Sequence, residues 1–506
     1  MKLITSAEMK ALDRQATEQA GILSTALMLN AAAHIVDTAK SIMGNNPRVA
    51  VFCGSGNNGG DGIAAAGILL EEGHEVQVFL VTGREKMSED AQEMEGRLIE
   101  AGGSLSSFNP ECPDMIAYAA SCGVIIDAIF GIGLNAELRG KPLAAVKLIN
   151  RLGVPVLSVD IATGVEADTG KIFGVAVQAF CTVTFTLPKP GNFIGKGGNA
   201  SGRVKVVDIG IPKTLIDRVH SQSYIITQAN VSLPPRRRDL HKGAAGKLLL
   251  IGGSVGYTGA LPLAAFGALR TGAGLVFMGV PESIYAITAV NALEAMPFPL
   301  PCTRGRLNMR ALPIILNHMA GCDALLIGPG LGQGEETEAL VAALVRASKI
   351  PVILDADGLN AISQNIHVLD EARAPIILTP HDGEFARLGG DLTHGHRLQE
   401  ARAFSNRWGC SLVLKGPGTI TAFPEGTVCV NTTGNPGMAT GGSGDVLSGM
   451  ITALVGQGLP FSKAVYISVW AHGRAGDLAA SRLGQYSMLP SDMLDDLPEV
   501  LQSIVR

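Results

Sequence analysis

The sequence predicts an α/β protein in which two domains, each built on a mostly parallel sheet, are fused in one chain. The chain has 506 residues, which is too long for one ordinary hydrophobic core. Hydrophobic residues make up 47% of it and aromatic residues only 5%, a balance that favours buried parallel strands over an all-β architecture. Short apolar runs alternate with helical patterns in both halves, which is typical of β-α-β folds.

The first half opens with a helical pattern that runs from Thr5 to about Ala39, with Ser6 as its expected N-cap. Strands and helices then alternate, and the glycine-rich residues 54–62 are expected to form a loop. This order predicts a Rossmann-like parallel sheet. The predicted strands are residues 48–53, 75–81, 124–130, 155–160, 182–186 and 203–208, and the predicted helices between them are 63–72 and 89–101.

Residues 213–240 interrupt this pattern and are interpreted as a linker or a crossing strand. The arginine run at 236–238 could bind an anion, but short basic runs are also typical of a solvated surface. A different α/β pattern follows, so we predict one domain at residues 1–217 and another at 224–503. The predicted strands of the second domain are 247–251, 275–280, 324–327, 352–355, 376–379, 412–415 and a hairpin at 419–423 and 427–431, followed by helices at 446–455 and 462–480.

Composition and charge argue against several classes of function. The net charge is −5, so nothing favours binding to nucleic acid or to an acidic membrane surface. The eight cysteines form no CxxC pair and no cluster with zinc spacing, which indicates core residues in a reducing compartment. The N-terminus lacks the apolar core of a secretory signal, and no uncharged apolar run reaches the ~18 residues of a membrane span. We therefore expect a cytoplasmic protein without a membrane or nucleic-acid partner.

The glycine-rich stretch at residues 434–445 is the most informative part of the chain. Five of its twelve residues are glycine, it ends on Asp445, and a helical run follows at once. Glycine lets several amide N–H groups converge on one point, and a helix N-terminus adds the positive end of its dipole. Such a loop suits a phosphate, and Asp445 is placed to accept a proton from a substrate hydroxyl. The plain alternative is a glycine-rich turn that only leads into a helix.

Polar side chains also follow the predicted strands of the first domain. Asn58 and Thr163 follow predicted strands, Asp160 ends one, and the predicted strand 124–130 carries Asp127. The loops after these strands should emerge at one edge of a parallel sheet and gather the four side chains in one cleft. Amide, carboxylate and hydroxyl oxygens suit a hard cation such as potassium, sodium or magnesium. Alternatively, Asp127 and Asp160 only cap the loops in which they lie.

Four motifs of the first half, residues 54–62, 127–134, 159–164 and 184–191, resemble the NAD(P)H-hydrate epimerase family, the YjeF N-terminal domain. The resemblance implies K⁺ bound by Asn58, Asp127 and Thr163, with Asp160 as the acid/base at the reacting ring. The family often has Pro-Ser where this chain has Ala162-Thr163, but threonine keeps the hydroxyl ligand. The residues implied to contact the hydrate are Asn57, Asn58, Gly59, Gly60, Asp61, Gly131, Ile132, Gly133, Leu134, Asn135, Ala136, Glu137 and Asp160.

In the second half, six strand-like runs are each flanked by a glycine-rich or polar turn, and loops at strand ends carry function on a rigid scaffold. Together with residues 434–449, these turns resemble the ADP- or ATP-dependent NAD(P)H-hydrate dehydratase family, the YjeF C-terminal domain, which implies a ribokinase-like fold. Two positions depart from the family pattern, Asp382 in place of proline and Pro417 inside the lysine loop. The resemblance implies hydrate contacts at Ala260, Gly330, His381 and Asp445, and adenine-nucleotide contacts at Lys415, Gly416, Pro417, Gly418, Thr419 and Gly444.

A single histidine in a loop, such as His381, is also often just hydrogen-bonded to its own backbone. Lys415, beside flexible amides, suits a nucleotide phosphate better.

The combined resemblance predicts an enzyme that repairs hydrated NADH and NADPH, with ADP as co-substrate and Mg²⁺ at the dehydratase site. It epimerises the hydrate in the first domain and dehydrates it in the second, and we expect a homo-oligomer of four or more subunits. Two alternatives stay open on fold alone: a ribokinase-like small-molecule kinase, and a nucleotide-binding sensor without catalysis.

Overall fold

A computed structural model describes residues 1–506, which divide into two compact units. One unit is Lys2–Ser223, and the other comprises Met1 and Tyr224–Arg506. None of the helices combines the length with the apolar character that crossing a bilayer requires.

The first unit contains one seven-stranded sheet in which every neighbouring pair is parallel. Its strands are β1 (Arg48–Cys53), β2 (Glu75–Leu80), β3 (Leu105–Ser107), β4 (Val124–Ala128), β5 (Val156–Val159), β6 (Cys181–Phe185) and β7 (Arg203–Val207). They lie in the order β3-β2-β1-β4-β5-β6-β7, so the strand order reverses between β1 and β4. Ligands of open α/β sheets bind at such a switch point, and this order confirms the predicted Rossmann-like fold.

The helices of this unit are α1 (Ser6–Ala20), α2 (Ser24–Met43), α3 (Asn57–Glu71), α4 (Glu89–Glu100), α5 (Pro113–Ala120), α6 (Gly140–Arg151), α7 (Gly195–Ser201) and α8 (Lys213–Arg218). The prediction of one helix from Thr5 to Ala39 was wrong, because Gly21 ends α1 in the left-handed region at φ 67°. The predicted cap was also wrong. Thr5 caps α1 in a reciprocal pair with Glu8, and Ser6 instead bonds to Asp168.

The expected loop at residues 54–62 is only partly a loop, because α3 already begins at Asn57. The glycines that suggested a loop allow this helix to pack closely. A methyl group on Gly59 would collide with the carbonyl oxygen of Gly54, and one on Gly62 would lie 2.5 Å from the side chain of Ala128. The first turn of α3 therefore lies directly against the ends of β1 and β4, at the switch point.

The second unit contains a ten-stranded sheet and a small hairpin. Its strands are β8 (Ser223–Ile226), β9 (Lys247–Ile251), β10 (Leu275–Pro281), β11 (Met296–Leu300), β12 (Cys302–Thr303), β13 (Arg306–Leu307), β14 (Ala324–Ile327), β15 (Val352–Leu354), β16 (Ile376–Leu378), β17 (Ser411–Leu414), β18 (Ile420–Ala422) and β19 (Val428–Asn431). The order is β11-β10-β9-β14-β15-β16-β17-β18-β19-β8, parallel from β11 to β17 and antiparallel from β17 to β19. All predicted strands of this half are present, and β8 lies in residues 213–240, the segment interpreted as a linker or a crossing strand.

The helices of this unit are α9 (Ala260–Arg270), α10 (Tyr285–Asn291), α11 (Leu312–Met319), α12 (Glu335–Ala347), α13 (Asp357–Ser363), α14 (Asp382–Arg387), α15 (Arg397–Trp408), α16 (Ser443–Gly456), α17 (Phe461–Leu483) and α18 (Pro490–Gln502). Helix α16 follows the glycine-rich stretch and is buried from Val446 to Gly456. It packs tightly on α9, since a methyl group on Gly267 would lie 2.5 Å from the carbonyl oxygen of Val446. This packing fixes where the N-terminus of α16 points.

Candidate active sites

The carboxyl ends of β1, β4 and β5 open into a cavity of about 520 Å³ in the first unit. Of the residues predicted to contact a hydrate, Gly59 and Gly60 are buried within α3 outside the cavity lining, and Asn135, Ala136 and Glu137 are exposed beyond it. The predicted residues that do line the cavity are Asn57, Asn58, Asp61, Gly131, Ile132, Gly133, Leu134 and Asp160.

A buried ion pair lies at the base of this cavity. Lys189 is 1% exposed, and its Nζ lies 2.6 Å from Oδ1 of Asp160. Thr184 donates to the same oxygen at 2.9 Å, whereas Oδ2 of Asp160 accepts no hydrogen bond within the protein. The backbone of Asp160 lies in the left-handed region at φ 63°, a conformation that non-glycine residues rarely adopt outside functional sites. Asp160 is thus paired with a buried lysine through one oxygen and has the other available to a ligand, rather than acting as a loop cap.

Two further carboxyls of the cavity have raised pKa values. Burial raises the pKa of Asp61 well above its ordinary range, and the charges of Asp160, Asp13 and Asp90 raise it further. Burial also raises the pKa of Asp13 to about 6, with Lys189 opposing the shift. Burial and neighbouring charge therefore favour the protonated form of Asp61, while Asp160 on the same cavity wall is paired with the ammonium of Lys189, a separation of environments that suits acid/base catalysis.

Asp13 and Lys189 are site residues that the sequence interpretation missed. Lys189 lies within the motif at 184–191, and its position between two prolines shortly after an apolar strand could have marked it. Asp13 gave no signal, because only the packing of α1 brings this helix to the cavity.

The predicted cation ligands lie on three neighbouring segments. Asp127 is fully buried, and its carboxylate accepts hydrogen bonds from the backbone and hydroxyl of Thr163 at 2.9 and 2.7 Å and from Ser158 at 2.8 Å. Asn58 lies against the loop after β4. A methyl group placed on Gly131 of that loop would be 2.8 Å from Oδ1 of Asn58. The amide nitrogen of Asn58 is buried without any hydrogen-bond partner. Asp127 and Thr163 are therefore in direct contact, with the amide of Asn58 unsatisfied nearby.

The second site lies at the N-terminus of α16. Gly442 precedes the helix in the left-handed region at φ 101°, and no side chain caps the first turn, so its amides are free to meet an anion. Lys415 reaches this point, since a methyl group on Gly444 would lie 3.2 Å from its Nζ. Burial raises the pKa of Asp445 to about 7, with Asp355 adding to the shift and Lys415 opposing it.

Lys415 is oriented by the loops after β15 and β16. Its Nζ lies 2.9 Å from Oδ1 of the fully buried Asp355 and 4.0 Å from Oε2 of Glu384. Thr379 donates to Asp355 at 2.7 Å, and Arg397 donates to the backbone oxygen of Lys415 at 2.7 Å. The lysine ammonium is therefore held at the glycine-rich loop by two carboxylates, neither of which the sequence interpretation had assigned a role.

Of the other residues predicted to contact the hydrate at this site, two are neighbours in the structure and His381 has a structural role. A methyl group on Gly330 would lie 3.1 Å from the side chain of Ala260, so these two positions are neighbours. His381 caps α14, because its Nδ1 accepts from the amides of Gly383 and Glu384 at 3.0 and 3.2 Å. This matches the alternative of a hydrogen-bonded loop histidine, and a substrate contact by its exposed edge stays a prediction.

Helix α17 holds both ends of the glycine-rich loop, a role that the sequence interpretation missed. The Nε2 of His472 lies 2.9 Å from the backbone oxygen of Ser443, and Asp477 accepts from the amide of Gly434 at 3.1 Å. Burial lowers the pKa of His472 to about 4, so the ring is neutral at physiological pH and Nε2–H donates to Ser443. His472 and Asp477 are polar residues in a helix predicted from its apolar pattern, and this could have marked them in the sequence.

Comparison with known proteins gives matches over both units. Residues 248–499 match the family described as NAD(P)H-hydrate dehydratase, and residues 24–191 match the YjeF-related protein N-terminus. A bifunctional NAD(P)H-hydrate repair enzyme of Moorella thermoacetica is 42% identical over 100% of this chain and 97% of its own, and one of Thermofilum pendens is 40% identical over the same shares. A crystal structure of a ribokinase-like superfamily protein from Enterococcus faecalis covers 57% of this chain and 98% of its own, with 25% identity and a TM-score of 0.51.

The fold and the two sites define a class of fused α/β enzymes. One domain is Rossmann-like and has a cavity with a buried carboxylate–lysine pair. The other is ribokinase-like and has an uncapped, glycine-rich helix N-terminus beside the buried carboxyl of Asp445. Within that class, the chain belongs to the family of bifunctional NAD(P)H-hydrate repair enzymes. The predicted family and the predicted ribokinase-like second fold are both confirmed.

Proposed function

We propose that the first unit interconverts the R and S epimers of NADH and NADPH hydrate, and that the second unit dehydrates the S epimer at the expense of ADP. The products are the reduced cofactor, AMP and phosphate. The observation that carries this proposal is Asp445, a carboxyl with its pKa raised to about 7 at an uncapped, glycine-rich helix N-terminus beside Lys415. A base, an anion cradle and a cation at one point are what phosphoryl transfer to a hydroxyl requires.

In the dehydration step, Asp445 accepts the proton of the hydroxyl on the reduced nicotinamide ring. The freed oxygen attacks the terminal phosphorus of ADP, and the P–O bond to AMP breaks. The amides at the start of α16 and the ammonium of Lys415 stabilise the charge on the transferring group. The phosphorylated oxygen then leaves the ring carbon as phosphate, the ring loses a proton, and the double bond of NAD(P)H is restored.

Mg²⁺ at this second site would be held by phosphate oxygens of the nucleotide together with Oδ2 of Asp355, since Oδ1 of that carboxylate already accepts from Lys415 and Thr379. When bound, the ion neutralises charge on the phosphates. The chain's own contribution is to hold the lysine, through Asp355, Glu384 and Arg397, at the point where the phosphate lies.

In the epimerisation step, Oδ2 of Asp160 accepts the proton of the ring hydroxyl. The ring C–N bond opens and closes again on the opposite face, and Asp160 returns the proton to the new hydroxyl. The ammonium of Lys189 stabilises negative charge on Asp160 between turnovers, and Asp61, whose pKa burial raises, lines the same cavity wall as a candidate hydrogen-bond donor.

K⁺ fits the cation site predicted at Asn58, Asp127 and Thr163. The three residues offer amide, carboxylate and hydroxyl oxygens, and the amide of Asn58 has a buried atom without a partner. Oxygen and nitrogen of an amide can be exchanged by a flip, so this position can present its oxygen to an ion. Bound potassium supplies positive charge that fixes the loops after β4 and β5 beside Asp160.

Removing potassium is expected to lower the epimerisation rate by more than about tenfold, because the loops that position Asp160 lose their ionic link. The exchange rate between R and S hydrate is measured by NMR without nucleotide, first in potassium chloride and then in choline chloride at equal ionic strength. The dehydration rate of purified S hydrate by the same chain serves as the internal control. An epimerisation rate independent of potassium contradicts the assignment.

The kcat/KM of dehydration is expected to rise about tenfold per pH unit up to about pH 7 and to level off above it. Asp445 must be ionised to accept a proton, and burial places the pKa of this carboxyl at about 7 in the free enzyme. Initial rates with limiting S hydrate between about pH 5.5 and 8.5 give the profile. A flat profile over this range would show that the base has an ordinary carboxyl pKa.

The proposed function is tested by recovery of near-ultraviolet absorbance from a mixture of both NADH-hydrate epimers, with ADP, ATP or no nucleotide. Complete recovery that requires nucleotide supports both activities, provided that a control without enzyme excludes spontaneous epimerisation. Recovery that stops at the S fraction means that only the second unit is active. No recovery, together with a stable phosphorylated product from a vitamin or sugar alcohol, would instead indicate a small-molecule kinase.

A further inference from the structure

A second cavity, of about 430 Å³, lies in the first unit at the carboxyl ends of β2 and β3. Four of its lining residues can donate hydrogen bonds through their side chains: Thr82, Arg84, Ser107 and Lys141. None of them belongs to the epimerase cavity or to the residues implied by the family resemblance. This cavity is therefore a separate feature that the proposed chemistry does not use.

The donors of this cavity are largely uncommitted. The hydroxyl of Thr82 is buried without a hydrogen-bond partner. Lys141 has no carboxylate partner, and its Nζ makes only a 3.3 Å contact with the hydroxyl of Ser107. Lys141 is also the second residue of α6, whose N-terminus has no side-chain cap. The arrangement concentrates positive charge and free N–H and O–H donors, which is what an anion such as a phosphate monoester requires.

Two carboxylates limit this charge. Arg84 forms an ion pair with Glu95, which leaves the other N–H groups of the guanidinium available. Glu85 also lines the cavity, and its carboxylate lies beside the backbone of Gly83. The end of β2 therefore carries both an acid and cations, the two residue types that distinguish a free ribose 2′-hydroxyl from a 2′-phosphate in Rossmann-like domains.

The sheet places this cavity within reach of the substrate. Strand β2 is the direct neighbour of β1, and the amide of Val81 donates to the backbone oxygen of Cys53 at 2.9 Å. The amide of Ser88 donates to the oxygen of Ser55 at 2.9 Å, so the segment after β2 is tied to the loop after β1. Neighbouring strands are about 5 Å apart, so a dinucleotide at the switch point can extend its adenosine half to the ends of β2 and β3.

We propose that this second cavity binds the 2′-phosphate of NADPH hydrate and sets the preference of the first unit between NADPH hydrate and NADH hydrate. Lys141 and the free edge of Arg84 take the phosphate oxygens, and the hydroxyls of Thr82 and Ser107 donate to them. Glu85 accepts from the 2′-hydroxyl when NADH hydrate binds instead. The proposal rests on the epimerase function proposed above.

The Lys141→Ala variant of the full chain is expected to raise the epimerisation KM for NADPH hydrate about tenfold, since it removes a charge-assisted hydrogen bond. Its KM for NADH hydrate should change less than about twofold, because that substrate carries no 2′-phosphate. Both constants come from NMR exchange between epimers without nucleotide. Lys147→Ala removes an exposed lysine from the same helix, outside the cavity lining, and is the matched control.

Equal KM changes for both substrates, or no change for either, would overturn the proposal. The Glu85→Gln variant adds an independent arm, because removal of a like charge should lower the KM for NADPH hydrate and raise that for NADH hydrate. The opposite result also contradicts the assignment. If the unaltered chain epimerises neither hydrate, the proposed epimerase function itself fails. If the unaltered chain is active and the Lys141→Ala variant changes the KM for neither substrate, only the proposed 2′-phosphate site fails.

Discussion

The Asp445→Asn variant is expected to lose dehydration activity by about a thousandfold, the loss typical when a general base is removed. Asparagine keeps the size and hydrogen-bonding shape of the side chain, but it cannot accept the proton of the ring hydroxyl. The helix N-terminus and Lys415 remain in place, so the nucleotide should still bind. The measurement is a single-turnover rate with purified S hydrate and excess ADP, together with the Kd for ADP.

The pKa of Asp445 also predicts how this variant behaves as a folded protein. Because burial raises this pKa to about 7, the carboxyl is harder to ionise in the folded chain than in the unfolded one. Ionisation above pH 7 therefore costs stability, and asparagine removes that cost, so the Tm at pH 8 should not fall. Glu425→Gln, at an exposed turn, is the matched control for loss of a carboxylate. Near-normal turnover in Asp445→Asn, or a lowered Tm that accompanies the loss, would contradict the role of Asp445 as base.

The strands could be predicted well because their signal is local. Residues 48–53 and 247–251 each consist of one basic residue followed by an uninterrupted apolar run, and β1 and β9 have these bounds. Segments whose structure depends on packing were predicted poorly. The first turn of α3 is rich in glycine and looks like a loop, but it is helical because close packing against β1 and β4 excludes side chains. In β8 only three apolar residues, Tyr224, Ile225 and Ile226, stand between polar neighbours, which is too short a run to mark a strand.

The sites could be located from sequence but not completed from it. The ends of parallel strands meet at one edge, so the polar residues Asp127, in β4, and Asp160, directly after β5, could be assigned to a common cleft. Their partners are set by tertiary contacts: Lys189 reaches Asp160 across 29 residues of sequence, and Lys415 reaches Asp355 across 60. No spacing rule predicts such pairs. The raised pKa values of Asp61 and Asp445 likewise follow from burial, which a single sequence does not give.

The Asp160→Asn variant is expected to lower the epimerisation rate by about a thousandfold, because Asp160 is the cavity carboxylate that is paired with a lysine through one oxygen and open to the ring hydroxyl through the other. Asparagine is the informative replacement at this position. Its side chain tolerates the left-handed φ of 63° at least as well as aspartate, and its oxygen can still accept from Lys189 and Thr184. The backbone and the buried lysine are therefore retained while proton acceptance is lost.

The fused chain supplies the control for this experiment. NMR exchange without nucleotide measures epimerisation alone, and dehydration of purified S hydrate with ADP measures the second unit of the same molecule. Asp160→Asn should leave that second rate within about twofold, since the substitution lies in the separate unit Lys2–Ser223. With a mixture of epimers and ADP, absorbance recovery should then stop at the S fraction. Complete recovery at the normal rate would mean that Asp61 or Asp13, rather than Asp160, moves the proton.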